Sequence, residues 1–175
     1  VTPDRGSAVN YANVSMAPSK SIDLYLYDIN EKVINMFKKL GFRDGLLFMQ
    51  GYSDGKKITF FEMGCRLGGS FYNHERACLG MDAIEMTVRY ALTGRMVDDI
   101  HSVKYDIARY DKFALDCNYL LKGYNETVAD IKGIEDVKQM PSCISTIQYQ
   151  EIGYHYDKDK IVDRPIFTAS IVSNT

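Results

Sequence analysis

At 175 residues, with 46% apolar and 25% charged side chains, the chain is long enough for one ordinary domain, or for a domain with a small appendage. A net charge of -2 and the lack of any Lys/Arg cluster exclude the electrostatic footprint of a nucleic-acid binder, and the apolar runs are too short to span a bilayer. No signal-like start is visible, so a cytoplasmic protein is expected, with neither nucleic acid nor membrane as partner. The four cysteines Cys65, Cys78, Cys117 and Cys143 are widely spaced without a Cys-x-x-Cys pair, which favours reduced, mostly buried thiols. The chain begins at Val1 rather than methionine, as a processed or cut piece would.

In chain order, residues 7–16 have the mixed polar and aromatic character of a strand, ended by Pro18. Leu24, Leu26, Ile29, Val33, Ile34, Phe37 and Leu40 then recur at mostly helical spacing, with Gly41 just beyond them. One amphipathic helix from residue 21 to 40 is predicted, of about four to five turns. Residues 45–52 and 57–63 alternate as strands, and Ser53-Asp54-Gly55-Lys56 between them carries the Asp-Gly signal of a hairpin turn. A glycine-containing loop leads to a helix over 82–93, capped by Asp82, closed by Gly94, with Ile84, Val88, Ala91 and Leu92 as its apolar face.

From about residue 102 the runs shorten and alternate. Strands are predicted over 113–121, 127–131, 144–152 and 166–172, with a short helix over 134–140 stopped by Pro141. Turn signals stand at 122–123 and 158–159. The fold class is α+β: a layer of antiparallel strands with helices, followed by a small, mainly β C-terminal unit.

The chemistry concentrates around Glu62-Met63-Gly64-Cys65-Arg66-Leu67-Gly68-Gly69. On paired strands Gln50 and Glu62 face each other within side-chain reach. Two oxygen donors beside an arginine and a Gly-Gly turn suit magnesium carrying phosphates, because magnesium takes hard oxygen ligands and arginine makes forked contacts to phosphate. Taken singly, Glu62 and Arg66 are also a common surface pair, and the glycines a common turn. A zinc site from Cys65, His74 and Cys78 is a third arrangement, since residues four apart share a helix face, but no fourth ligand is evident. His74 and Glu75 follow the glycines closely enough to meet a substrate, although a first-turn helix position explains them as well. Tyr25, Tyr27, Tyr149, Tyr154 and Tyr156 fit amphipathic packing better than an aromatic binding face.

The residues Glu62, Arg66, Gly68 and Gly69, with Gln50 on the preceding strand, resemble the Glu-x-Asn-x-Arg-x-Gly-Gly hairpin and loop of the ATP-grasp ligases. The likeness runs on through Leu79-Gly80-Met81-Asp82, Ala91-Leu92-Thr93-Gly94, the segment 127–134 and Glu151-Ile152-Gly153, as in carbamoyl-phosphate synthetase-like, biotin carboxylase-like and L-amino acid ligase-like members. It implies that residues 1–101 are the C-terminal lobe of an ATP-grasp domain and 102–175 a small β-rich subdomain.

By the same resemblance Gln50 and Glu62 are the ligands of magnesium or manganese, Arg66 is the catalytic contact to the γ-phosphate or to the acyl phosphate formed from it, and Phe61 packs against the adenine. Gly68 and Gly69 belong to the nucleotide-binding loop. Gly64 departs from the pattern, because the family has asparagine there as a further metal ligand; a water, the backbone or a neighbour such as Asn73 is the expected substitute, and a weakened or lost activity the alternative. The lysine-bearing lobe that covers the phosphates has no counterpart in residues 1–40, so the resemblance implies a C-terminal piece with half an ATP site, inactive alone. The longer protein is then expected to join a small carboxylate to an amine at the expense of ATP, through an acyl phosphate, and a homodimer is compatible with the family. The alternative is a nucleotide-binding scaffold that kept the fold and lost the chemistry.

Overall fold

A computed structural model of the chain describes residues 2–3, 12–69, 71–99, 112–120, 125–156 and 165–174. The elements of the first part are β1 (Thr2–Pro3), β2 (Ala12–Ala17), α1 (Ile22–Asp28), α2 (Asn30–Lys39), β3 (Phe48–Ser53), β4 (Ile58–Gly64), α3 (Phe71–Leu79) and α4 (Ala83–Thr93). They are followed by β5 (Lys112–Tyr119), β6 (Glu126–Thr127), α5 (Ile134–Lys138), β7 (Cys143–Gln148), β8 (His155–Tyr156) and β9 (Phe167–Asn174). Among the described residues no helix is long and apolar enough to cross a membrane.

The chain divides into two compact units, one of Val1–Ala17 with Lys112–Thr175 and one of Pro18–Asp111. The first is built on an antiparallel five-stranded sheet in the order β1-β2-β5-β9-β7. The strand at 12–17 lies early in the chain yet hydrogen-bonds to β5, with Ser15 opposite Asp116 and Met16 opposite Leu115, so the division follows sheet pairing and not chain order. β9 is a central strand, and Phe167, Thr168, Ala169 and Ser170 are all buried in succession, which means that both of its faces are covered. The buried Asp116 is not left bare: Ser170 Oγ donates to its Oδ1, while Thr168 Oγ1 donates to Asn118 Oδ1 at 2.7 Å on the same face. Burial, with the Asp116 carboxylate adding to it, pushes the Cys117 thiol up and keeps it protonated.

Outside the five-stranded sheet, only Thr127 of the strand predicted over 127–131 is extended; with Glu126 it forms β6, which pairs with β8, and 128–131 are irregular. The strand predicted over 144–152 stops at Gln148. The turn signals at 122–123 and 158–159 lie outside the described residues, as do residues 7–11 of the first predicted strand and the last residue of the strand over 113–121.

The second unit starts with two helices instead of the single one predicted. The helix breaks at Ile29, whose φ of -126° and ψ of -40° depart from helical values. A β-branched residue flanked by Asp28 and Asn30 has little local preference for helix, which explains the interruption. The β3–β4 hairpin is closed by an Asx turn, in which Asp54 Oδ1 accepts hydrogen bonds from the backbone N–H groups of Lys56 and Lys57, both at 2.8 Å. Gly55, at φ +86°, takes the left-handed position the turn requires.

The loop expected between hairpin and second helix carries a helix of its own, α3. α4 follows as predicted, with Asp82 Oδ1 accepting from the Glu85 N–H at 3.0 Å and Gly94 left-handed at its end. Its apolar stripe faces solvent, Ile84, Val88 and Leu92 being 44%, 55% and 81% exposed, and Ala83 is the residue it buries. Asp44 ties the far end of α4 to the approach to β3 by accepting from the Met96 N–H at 3.2 Å.

Asp82→Ala removes the α4 cap and is expected to lower stability by about 1 kcal/mol in urea unfolding. The two N–H donors hold the Asp54 carboxyl below its ordinary value, so its stabilising effect is present above the unfolded pKa and lost as pH falls through the folded one. Asp54→Asn should therefore lower the Tm at pH 7, and the difference from the parent should close as pH drops below about 4.

Candidate functional site

The β3–β4 register pairs Phe48 with Gly64, Met49 with Met63 and Gln50 with Glu62, then skips one residue and pairs Gly51 with Phe60, Tyr52 with Thr59 and Ser53 with Ile58. Phe61 is the extra residue, so β4 carries a β-bulge there. By strand alternation Phe48, Gln50 and Tyr52 share one face with Glu62, while Met49, Gly51 and Ser53 share the opposite face with Phe60. Gln50 and Glu62 are thus brought opposite each other, as predicted, and both are exposed.

Arg66 reaches back to this face from the loop after β4. Its Nη2 donates to Glu62 Oε1 at 3.1 Å, its Nη1 donates to the Leu67 carbonyl at 3.0 Å, and its Cζ lies 4.5 Å from the centre of the Phe48 ring. An exposed ion pair contributes at most about 1 kcal/mol to stability, so these contacts matter for holding the guanidinium in one place. Gly68 is needed by the same arrangement, because a Cβ there would come within 2.8 Å of Phe48 Cδ2. Gly69 is left-handed at φ +72° and leads towards α3.

Phe61 stacks on Tyr52, ring centres 4.7 Å apart at 29°, although the two rings are 55% and 69% exposed. Tyr52 is the residue that sequence reasoning missed. Its signal was its place two residues after Gln50 on an alternating strand, and what hid it was the bulge that turns Phe61 towards it. One hairpin face therefore presents two oxygen donors, a fixed guanidinium and an exposed aromatic pair.

No known family model and no curated protein matches the sequence. Solved structures do. An L-amino acid ligase from Bacillus licheniformis superposes with a TM-score of 0.76 at 18% identity, over 97% of this chain and 41% of that one. A phosphoribosylglycinamide synthetase from Anaerococcus prevotii gives 0.68 at 12% identity, over 97% of this chain and 42% of that one. The chain has the ATP-grasp fold. A third ATP-grasp structure, the biotin carboxylase domain of the Hydrogenobacter thermophilus 2-oxoglutarate carboxylase as a dimer with MgADP and bicarbonate, gives 0.58 at 15% identity, over 94% of this chain and 35% of that one. The chain spans about two fifths of the length of the first two structures.

The donor set on the hairpin fits the magnesium nucleotide that an ATP-grasp fold implies. Among the described residues no three of His, Cys, Asp and Glu converge. Magnesium with phosphates needs no such cluster, since one or two carboxylates, retained waters and phosphate oxygens complete its shell. Gly64 adds no side-chain oxygen, and Asn73 has its amide nitrogen buried without a hydrogen-bond partner among the described residues. Cys65, His74 and Cys78 do not come together as a zinc cluster: Cys65 is exposed and His74 is buried in contact with Phe71. Burial raises the pKa of the neighbouring Glu75 carboxyl, opposed by the charge of His74. Of the tyrosines, Tyr27 is exposed, and Tyr156 is buried edge-on to Tyr154.

Gly68→Ala is expected to push Phe48 aside and free the Arg66 guanidinium while leaving the fold in place. The Arg66 side-chain resonances and the Phe48 ring resonances should both shift in NMR spectra, with far-UV circular dichroism unchanged.

Proposed function

We propose that the chain forms the metal and γ-phosphate side of the nucleotide site of an ATP-dependent ligase that joins a carboxylate to an amine. The observation that carries this reading is Gln50 set opposite Glu62 on a hairpin whose loop returns Arg66 to the same carboxylate, in a chain with the ATP-grasp fold. In such a reaction the carboxylate oxygen attacks the γ-phosphorus of ATP, ADP leaves, and the amine then displaces phosphate from the acyl phosphate. A divalent metal supplies charge neutralisation on the phosphates when bound.

Glu62 and Gln50 would hold that metal, one by a full negative charge and the other by an amide oxygen. Arg66 offers forked donors to the oxygens that gain charge in transfer, and its stacking on Phe48 positions it before the nucleotide arrives. The Glu62 carboxylate now accepts from Arg66, so arrival of metal and phosphate would divide the pair, metal to Glu62 and phosphate to Arg66. Tyr52 and Phe61 present ring faces on which a purine can stack, and both expose enough surface to be reached. Gly68 and Gly69 keep the loop close to Phe48 and turned towards α3.

A second reading, a scaffold that binds nucleotide without turnover, is favoured by one observation, the loss of a ligand oxygen at Gly64. Isothermal titration of the protein at its full natural length with Mg-ATP separates the readings. The ligase reading predicts binding that weakens at least tenfold in Glu62→Ala and in Arg66→Ala, with carboxylate- and amine-dependent release of phosphate. Binding untouched by both substitutions would remove these residues from the site, and binding without turnover would leave the scaffold.

A further inference from the structure

The opposite face of the hairpin carries a second feature. Between that face and helices α1 and α2 lies an open groove of about 630 Å³. Its floor is Met49, Gly51 and Ser53 of β3 with Phe60 of β4, and Val33, Ile34 and Phe37 of α2 form its wall. A volume of this order is that of a small-molecule site, roughly 300–1,000 Å³. Gly51 matters to the floor, because any side chain there would crowd the Thr59 carbonyl at 3.0 Å and the Phe60 ring at 3.2 Å.

The polar groups around the groove are few and unevenly placed. Lys38, on the last turn of α2, is the only charged residue among those lining it. Ser21 Oγ donates to Ser53 Oγ at 2.8 Å where β3 ends, so those hydroxyls are already engaged with each other. Tyr25 contributes a phenol whose pKa burial raises, an uncharged donor at neutral pH. An apolar trough with one cation selects an apolar body bearing one negative charge over a neutral or cationic ligand.

We propose that this groove binds an amphipathic carboxylate, an aliphatic or arylalkyl chain lying between α2 and the hairpin with its head group at Lys38. Such a ligand sits under Gly51 and Phe60, on the other side of the sheet from Gln50 and Glu62, and cannot reach Arg66. Its site is therefore separate from the Gln50 and Glu62 face. The assignment does not depend on the ligase reading, since it concerns the face that reading leaves unused.

Methyl NMR titration of the protein with octanoate and with octanamide, in the absence of nucleotide, tests the proposal. Saturable shifts are expected at the methyl groups of Val33, Ile34 and Ile58, with octanoate about fivefold tighter than octanamide. Lys38→Gln should erase that difference while octanamide binding persists, and Ile34→Trp, which fills the groove from a 41% exposed position, should abolish both. Lys38 and Ile34 are exposed, so neither substitution threatens the fold. Lack of saturable shifts, equal affinity for the two probes, or shifts centred on Tyr52 and Phe61 would overturn the proposal. So would a concentration-dependent dimer dispersed by Ile34→Trp, which would make a second copy the occupant.

Discussion

The pairing of β3 with β4, and the single extra residue on β4, is the constraint on which the candidate site depends. Antiparallel pairing sets Gln50 against Glu62, and the bulge at Phe61 lets the alternation change phase just beyond them. Without the bulge, a regular ladder would carry Phe61 to the opposite face from Tyr52. With it, the stacked rings and the oxygen pair share a face. The Asp54 turn fixes this register from one end, and Arg66 ties the other end through Glu62, Leu67 and Phe48.

Few of these contacts contribute much to stability. The Glu62–Arg66 pair is exposed, and Tyr52 and Phe61 leave more than half of their surface in solvent. An arginine, two aromatic rings and a glycine are thus arranged on an exposed face and not in the hairpin's core. The two faces differ in character: the Gln50 and Glu62 side is oxygen-rich and charged, and the groove on the Met49 and Phe60 side is mainly apolar, with Lys38 the one charged residue among those lining it.

Much of this was legible in the sequence because its signals are local. The Asp-Gly turn, the alternation on either side of it, the Asp82 cap and Gly94 each act within a few residues, and each produces the element predicted. The resemblance at Glu62, Arg66, Gly68 and Gly69 led to the ATP-grasp fold that the superpositions show. The misses came where a non-local or one-residue effect decides. Apolar spacing continues through Ile29, so periodicity alone joins α1 and α2, although the backbone breaks there. The same spacing marks Ile84, Val88 and Leu92 as a face to be covered, which among the described residues they are not. Sheet order is equally silent in the sequence, since nothing local says that residues 12–17 pair with β5. The bulge is invisible as well, because it depends on how two strands meet, and with it went the role of Tyr52.

Magnesium nucleotide is proposed to lie on the Gln50, Glu62 and Arg66 face. Paramagnetic broadening of backbone amide resonances by Mn-ATP tests it most directly, because manganese takes the same oxygen ligands and broadens what lies near it. The strongest broadening is expected at Gln50, Glu62 and Arg66, with less at Ile34 on α2. Broadening centred on α2, or none at the hairpin under conditions where the nucleotide binds, would contradict it.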